Sequence, residues 1–229
     1  MNKARLLLNT CLLSLLSVFA GCANGRGGSL PYDAWFLGLF SPDYMEVWVE
    51  TVEVVDIRNR GFLGVMGGTV SMGYPTAFSQ GIPTRFKGNP KGWPKKPGGG
   101  AGKHVLGADL PRVIYVNWQS LVEPQTYEAY IEIPEEARQL MLKREESDCN
   151  MGGKWNTDYR ETLTIGLAPG GIAKVWVQGP CLDPIEVTRV MGKVDPRGPY
   201  LGRSGGRYRP LSDISKAYVE KFGVPYGSW

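Results

Sequence analysis

The stretch "MEVWVETVEVVDI" (45–57) constrains the fold more than any other part of the chain. Met45, Val47 and Val49 alternate with Glu46, Trp48 and Glu50. A period of two places these apolar side chains on one face of a β-strand, because successive side chains point to opposite sides of a sheet. The apolar face then moves to Val52 and Val54, so the pattern predicts a bulge or two strands in sequence. A segment of this kind needs a partner sheet, and the remaining sequence supplies candidates. "AWFLGLF" (34–40) is continuously apolar and reads as a buried strand. "GFLGVMGGTVSMGY" (61–74), "RVIYVNW" (112–118), "TYEAYIEI" (126–133) and "PIEVTRVMGKV" (184–194) read as further strands. "ETLTIGL" and "IAKVWVQ" flank Ala168-Pro169-Gly170-Gly171, a hairpin signal.

Two short amphipathic helices are expected. One starts at "IPEEARQLMLKREE", with Pro134 suited to the first helical position and Glu135 and Glu136 at its positive end. Ala137, Leu140, Met141 and Arg144 share one face of it. The second lies near the C-terminus, capped by Ser212 and ended by Gly223 and Pro225. Its Ile214, Ala217, Tyr218 and Phe222 form a stripe that predicts a core-facing side. Strands and helices do not alternate regularly, which argues against a parallel doubly wound sheet. The expected fold is α+β, mainly antiparallel β and sandwich-like, with these two helices. It occupies residues 31–229 as one domain.

The first 22 residues read differently. Lys3 and Arg5 precede a mostly apolar run from Leu6 to Phe19, and the run ends in Ala20-Gly21-Cys22. This is the grammar of a secretory signal, too short and wrongly flanked to span a membrane. The Ala-Gly-Cys ending resembles the lipobox of bacterial lipoproteins, although Phe19 stands where Leu is usual. The resemblance implies that residues 1–21 are a signal peptide and that Cys22 is acylated. With Ala23 following the cysteine, it implies the periplasmic face of the outer membrane. The alternative is ordinary cleavage near Ala20, leaving Cys22 as a plain thiol. Burying acyl chains gains roughly 0.8 kcal/mol per CH₂, so several chains hold a protein firmly. Residues 22–30 are Gly-rich and polar, and are expected to be a flexible tether.

Lys3 and Arg5 leave with the signal, so the formal charge of +4 falls to +2. A near-neutral body has no large electrostatic footprint for nucleic acid. Of the four cysteines, Cys11 would leave and Cys22 would carry lipid. Cys149 and Cys181 remain, and in an oxidising compartment the pair is expected to form a disulfide. A metal or redox role is the alternative, but the chain has no C-x-x-C and a single histidine, His104.

Other chemistry is offered only weakly. "PGGGAGKH" approaches the phosphate-binding loop, but Pro97 stands where its first Gly belongs and His104 where its Ser or Thr belongs. His104 is the one candidate imidazole base, and no Gly-x-Ser-x-Gly elbow accompanies it. Carboxylate pairs such as Glu128 with Glu132, or Asp158 with Glu161, leave a glycosidase-like hydrolase open. No catalytic residue, cofactor or metal site is therefore assigned.

Residues 79–109 hold many Gly, Pro and Lys with almost no periodicity, and are read as one long surface loop. Trp93 lies in it beside Lys91, Lys95 and Lys96, the composition of an interface anchor. It could equally fold back as a plug for the loop. As an anchor, Trp93→Ala should weaken binding with little change in melting temperature.

Four stretches together, "LPYDAWFLGLFSPDYMEVWVETV", "GADLPRVIYVNWQSLVEPQTYEAYIEIPEEARQLM", "DYRETLTIGLAPGGIAKVWVQGPC" and "VPYGSW", resemble a proteobacterial lipoprotein family labelled as a domain of unknown function. Members are often encoded beside type VI secretion lipase effectors. The resemblance implies an immunity role: a periplasmic protein, not an enzyme, that binds and neutralises a phospholipase. It carries no catalytic residues. The rival expectations are a structural or envelope-binding lipoprotein and, further off, the carboxylate hydrolase.

Overall fold

The computed structural model describes residues 30–70, 88, 90–147 and 156–229. The proposed signal peptide, Cys22, the tether up to residue 29, residues 71–74 of the strand expected over 61–74, residues 79–87 and 89 of the long loop, and Cys149 lie outside the described residues. Twelve strands and two helices follow in order among them. The strands are β1 (Phe36–Phe40), β2 (Val47–Asp56), β3 (Gly61–Val70), β4 (Ala101–His104), β5 (Pro111–Ser120) and β6 (Gln125–Glu132). After α1 (Glu135–Leu142) come β7 (Arg144–Ser147), β8 (Asn156–Tyr159), β9 (Thr162–Ala168), β10 (Ile172–Gly179), β11 (Leu182–Met191) and β12 (Lys193–Val194). A short 3₁₀ turn (Pro199–Gly202) and α2 (Asp213–Phe222) complete the chain.

Two five-stranded sheets face each other, in the orders β11-β10-β9-β1-β4 and β12-β6-β5-β2-β3. The fold is the expected mainly antiparallel α+β arrangement with sandwich-like sheets. The one parallel pairing in these sheets is β1 with β9, Phe36 opposite Thr162 through Phe40 opposite Gly166. β7 and β8 form a separate two-stranded ribbon.

The alternating side chains of β2 explain the layer between the sheets. Val47, Val49, Val52 and Val54 are buried, with Leu37 and Leu39 of β1, Ile114, Val116 and Trp118 of β5, and Leu163, Ile165 and Leu167 of β9. The two frames of β2 are joined by a bulge, where its register against β5 shifts between Val49 and Thr51. The ambiguity in the sequence is thus resolved as a single bulged strand.

The outer face of the second sheet is covered by the chain after β12. Glu50 accepts the Tyr200 N–H at 2.8 Å, Gln119 Oε1 accepts the Arg209 N–H at 2.8 Å, and the Arg209 guanidinium lies 3.9 Å from the Trp48 ring centre. The chain then enters α2, where the Ser212 hydroxyl accepts the Ser215 N–H and Gly223, at φ +74°, ends the helix. The face that packs overlaps the predicted stripe only in part, through Ile214 and Tyr218. Ser215 is buried against Glu46, and Tyr218 stacks on Tyr44 at 4.3 Å, whereas Ala217 and Phe222 are exposed. Tyr218 and Val219 pack against the small apolar cluster of Met45, Ala168, Ile172 and Trp229, while Ser215 is drawn in by Glu46. In α1, Ala137 and Met141 are buried, two of the four residues expected on its inner face.

The long loop also differs from expectation. Its end forms β4, which pairs antiparallel with β1. The part before β4 crosses the outer face of the first sheet, where glycines make room for it. A Cβ at Gly38 would collide with the Gly99 carbonyl, and one at Gly166 would collide with the Trp93 ring. Around Pro90 and Gly92 the loop is tied to the C-terminal residues: the Trp229 indole N–H donates to the Pro90 carbonyl at 2.8 Å, and the Gly92 N–H donates to Ser228 Oγ at 3.3 Å.

Candidate functional site

The pairing of β1 with both β4 and β9 builds a cleft. Phe36 lies opposite His104 on one side and opposite Thr162 on the other, so three strands put these residues in one row. The Phe36 N–H donates to the Glu161 carbonyl at 2.8 Å, which fixes Glu161 beside the same row. The His104 ring meets the Phe36 ring edge-on, with centres 5.3 Å apart. Two rims rise around this floor: residues 96–99 of the loop and residues 178–184 of the β10–β11 turn. They enclose an open cavity of about 570 Å³.

The rims are joined by Lys96 Nζ and Asp183 Oδ1 at 2.5 Å, with both side chains about three-quarters exposed (75 and 77%). Water and salt screen such a pair, so it holds the rims only loosely. The Lys96 ammonium still draws the Asp183 carboxyl below the usual carboxylate range.

Glu161 behaves oppositely. Burial pushes its carboxyl above the usual range, the nearby Asp158 charge pushes further, and His104 opposes both. Arg160 does not supply its counter-charge. That guanidinium pairs with Glu145 at 3.0 Å and donates to the Asp183 carbonyl. Deeper in the wall, Gln178 Nε2 donates to Thr164 Oγ1 at 2.9 Å.

The structure therefore brings His104 to the Asp158–Glu161 pair, which the sequence offered separately from it, and adds Phe36, Gln178 and Asp183. Register across three strands created this grouping, and no local motif marks it. The other carboxylate pair lies elsewhere: Glu128 accepts the Tyr115 hydroxyl at 3.0 Å and meets Arg197 at 3.5 Å on the second sheet.

Lys91, Lys95 and Lys96 are exposed around the loop. Trp93 is half-buried, with its ring centre 5.7 Å from Phe40 and 5.4 Å from Trp176, both edge-on. Of its two readings, the ring adopts the plug. It pins the loop to the first sheet and so holds the rim that carries the lysines. Cys181 sits in the other rim. No group of three or more His, Cys, Asp or Glu poised for a metal ion occurs among the described residues.

A family model described as a protein of unknown function, DUF2931, matches residues 22–227. The chain belongs to this family. The match runs through both sheets, both helices and every residue of the cleft, so the cleft belongs to the family's domain and not to an appended segment. No curated protein and no solved structure matches the chain.

Proposed function

We propose that this protein is a lipoprotein, held through Cys22 on the periplasmic face of the outer membrane, that binds a secreted type VI phospholipase effector and neutralises it without turnover. The observation that carries the reading is the cleft. It is open, framed by two Pro- and Gly-containing rims, edged by the exposed Lys95 and Lys96, and floored by side chains set on paired strands. A site on a rigid frame loses little conformational freedom when a partner docks. The family match beginning at residue 22, the cysteine of Ala-Gly-Cys, supports cleavage and lipid attachment there. Confinement at the membrane raises the inhibitor's effective concentration where a lipase attacks.

Co-expression with the product of an adjacent lipase gene should give a stoichiometric complex on size exclusion and should protect cells when that lipase is sent to the periplasm. Separate elution, or no protection, overturns the reading. Cys22→Ala should still bind but protect less well.

A second reading is favoured by one observation, the raised carboxyl of Glu161 beside Asp158 and His104, since general acids are tuned in this direction. Turnover of a lipid or glycan by the protein alone, abolished in Glu161→Gln, would replace inhibition with hydrolysis.

The proposal includes a Cys149–Cys181 disulfide. Cys181 is engaged by a partner. The bridge would close a loop of about thirty residues and stabilise by roughly 3–4 kcal/mol on the chain-entropy model. Peptide mapping of unreduced protein should recover the two cysteines in one linked fragment; two separate thiol peptides would sink the pairing.

A further inference from the structure

We propose that the cleft receives a basic side chain, Arg or Lys, from a protein partner, with Glu161 as its counter-ion and the Phe36 ring as its packing surface. This rests on the partner-binding reading above and names the chemistry of the contact.

The argument begins with the charges. Two cations approach the cleft and both are occupied: Lys96 by Asp183, and Arg160 by Glu145 and the Asp183 carbonyl. Glu161 and Asp158 have no ion-pair partner among the described residues. Asp158 Oδ1 accepts its neighbour Tyr159's N–H, at 2.9 Å. Among the described residues no ion pair offsets Glu161, which lines the cleft, and burial first, then the Asp158 charge, raise its carboxyl against the opposing His104. A cation placed there would remove the strain that burial and Asp158 impose.

The shape agrees with the charge. Phe36 and Glu161 both line the cleft, and Phe36 is held there by the His104 edge contact and by the β1–β9 pairing. An aromatic ring and a carboxylate lining one cleft suit the long apolar stem and charged end of Arg or Lys, which bury one and pair the other. With the Gln178 amide N–H₂ engaged on Thr164, its oxygen remains as an acceptor at the wall. A volume of about 570 Å³ exceeds one side chain, so the flanking residues of the partner segment also enter. Lys96 on Asp183 shows the same contact made internally at the rim, where the protein's own ammonium meets a carboxylate.

His104 is the only histidine, so its ring protons give a single-site NMR reporter at the cleft floor. The full chain, as processed by the cell and kept in detergent, is titrated with acetyl-Gly-Arg-Gly-amide and, separately, acetyl-Gly-Gln-Gly-amide. The Arg peptide should shift the His104 resonances saturably, and the Gln peptide should not. Glu161→Gln should weaken the Arg peptide about tenfold, the loss that follows removal of one charge-assisted hydrogen bond. Asp183→Asn, at an exposed position that does not threaten folding, should also weaken it, because Lys96 is released to compete. No saturable shift, equal shifts with both peptides, or unchanged affinity in both variants overturns the proposal. The outcomes separate from those of the functional reading. A lipase that fails to co-elute overturns inhibition and leaves a positive peptide result standing. Complex formation without peptide binding overturns the cleft contact alone.

Discussion

Asp56→Ala is expected to lower the unfolding free energy by about 3–5 kcal/mol, the range for breaking a buried charged network from one side. Asp56 ends β2 and is closed to solvent. Its Oδ1 accepts the N–H groups of Arg58 and Arg60, each at 2.9 Å. Its Oδ2 accepts Arg60 Nε at 2.9 Å and the Asp109 N–H at 3.2 Å. Asp109 is equally buried, and its Oδ2 meets Arg58 Nε at 2.7 Å and Arg60 Nη2 at 2.9 Å. The Asp109 carbonyl accepts the Trp35 indole N–H at 3.1 Å. The Asp56 carboxylate therefore ties the turn after β2 to Asp109, whose backbone carbonyl in turn holds Trp35 just before β1. Removing it strands the Asp109 N–H in the interior and leaves Asp109 alone with two half-exposed arginines. Urea unfolding measures the loss, and a change below about 1 kcal/mol would show the network to be dispensable.

The pH dependence of this network has a definite sign. Burial alone would raise the Asp56 carboxyl, but hydrogen bonds from Arg60, Asp109 and Arg58 outweigh it and hold the group below the usual carboxylate range. A depressed folded pKa means that the contribution is complete above the ordinary carboxylate value. It is lost as the pH falls through the folded value. Asp56→Ala should therefore flatten the acid limb of the stability curve as well as lower its plateau.

Trp93→Ala should cost about 2–3 kcal/mol, somewhat under the range for a fully buried Trp because the ring is half-exposed. For a domain of this size the melting temperature should fall by about 5–10 °C. This reverses the expectation attached to an exposed anchor. The ring covers Gly166 and touches Phe40 and Trp176, so its loss empties a pocket that no neighbouring side chain fills. An unchanged melting temperature would show that the loop is held by its other ties, at Gly99 and Trp229. Binding defects in this variant are to be read with that loss in mind, and Lys95→Ala is the cleaner test of the rim.

The sequence made local features legible where one element's own side chains decide them. The alternation of β2 marked its buried face and the change of frame that the structure makes a bulge. Pro169-Gly170-Gly171 marked the β9–β10 hairpin, and Ser212 and Gly223 marked the ends of α2. What failed depended on a partner. The stripe of α2 was right at Ile214 and Tyr218 but missed Ser215, which Glu46, more than 160 positions earlier, draws inward. β4 was unreadable because Ala101-Gly102-Lys103-His104 has all four residues exposed and becomes a strand only by pairing with β1. The cleft could not be foreseen for the same reason: Phe36, His104, Glu161 and Asp183 come from four segments joined by register.

The place of β1 in its sheet also sets an order of events. It is among the most apolar strands of the chain, yet one of its neighbours is β4 and the other is β9. A chain made from its N-terminus cannot complete the hydrogen bonds of Phe36–Phe40 until residue 166 exists. Such distant pairing is slow to find, and an unpaired apolar strand is a template for aggregation in the meantime. The molecule is thus built to stay open during synthesis and to close late. The row that carries Phe36, His104 and Thr162 forms in that same step, so the cleft and the fold arrive together.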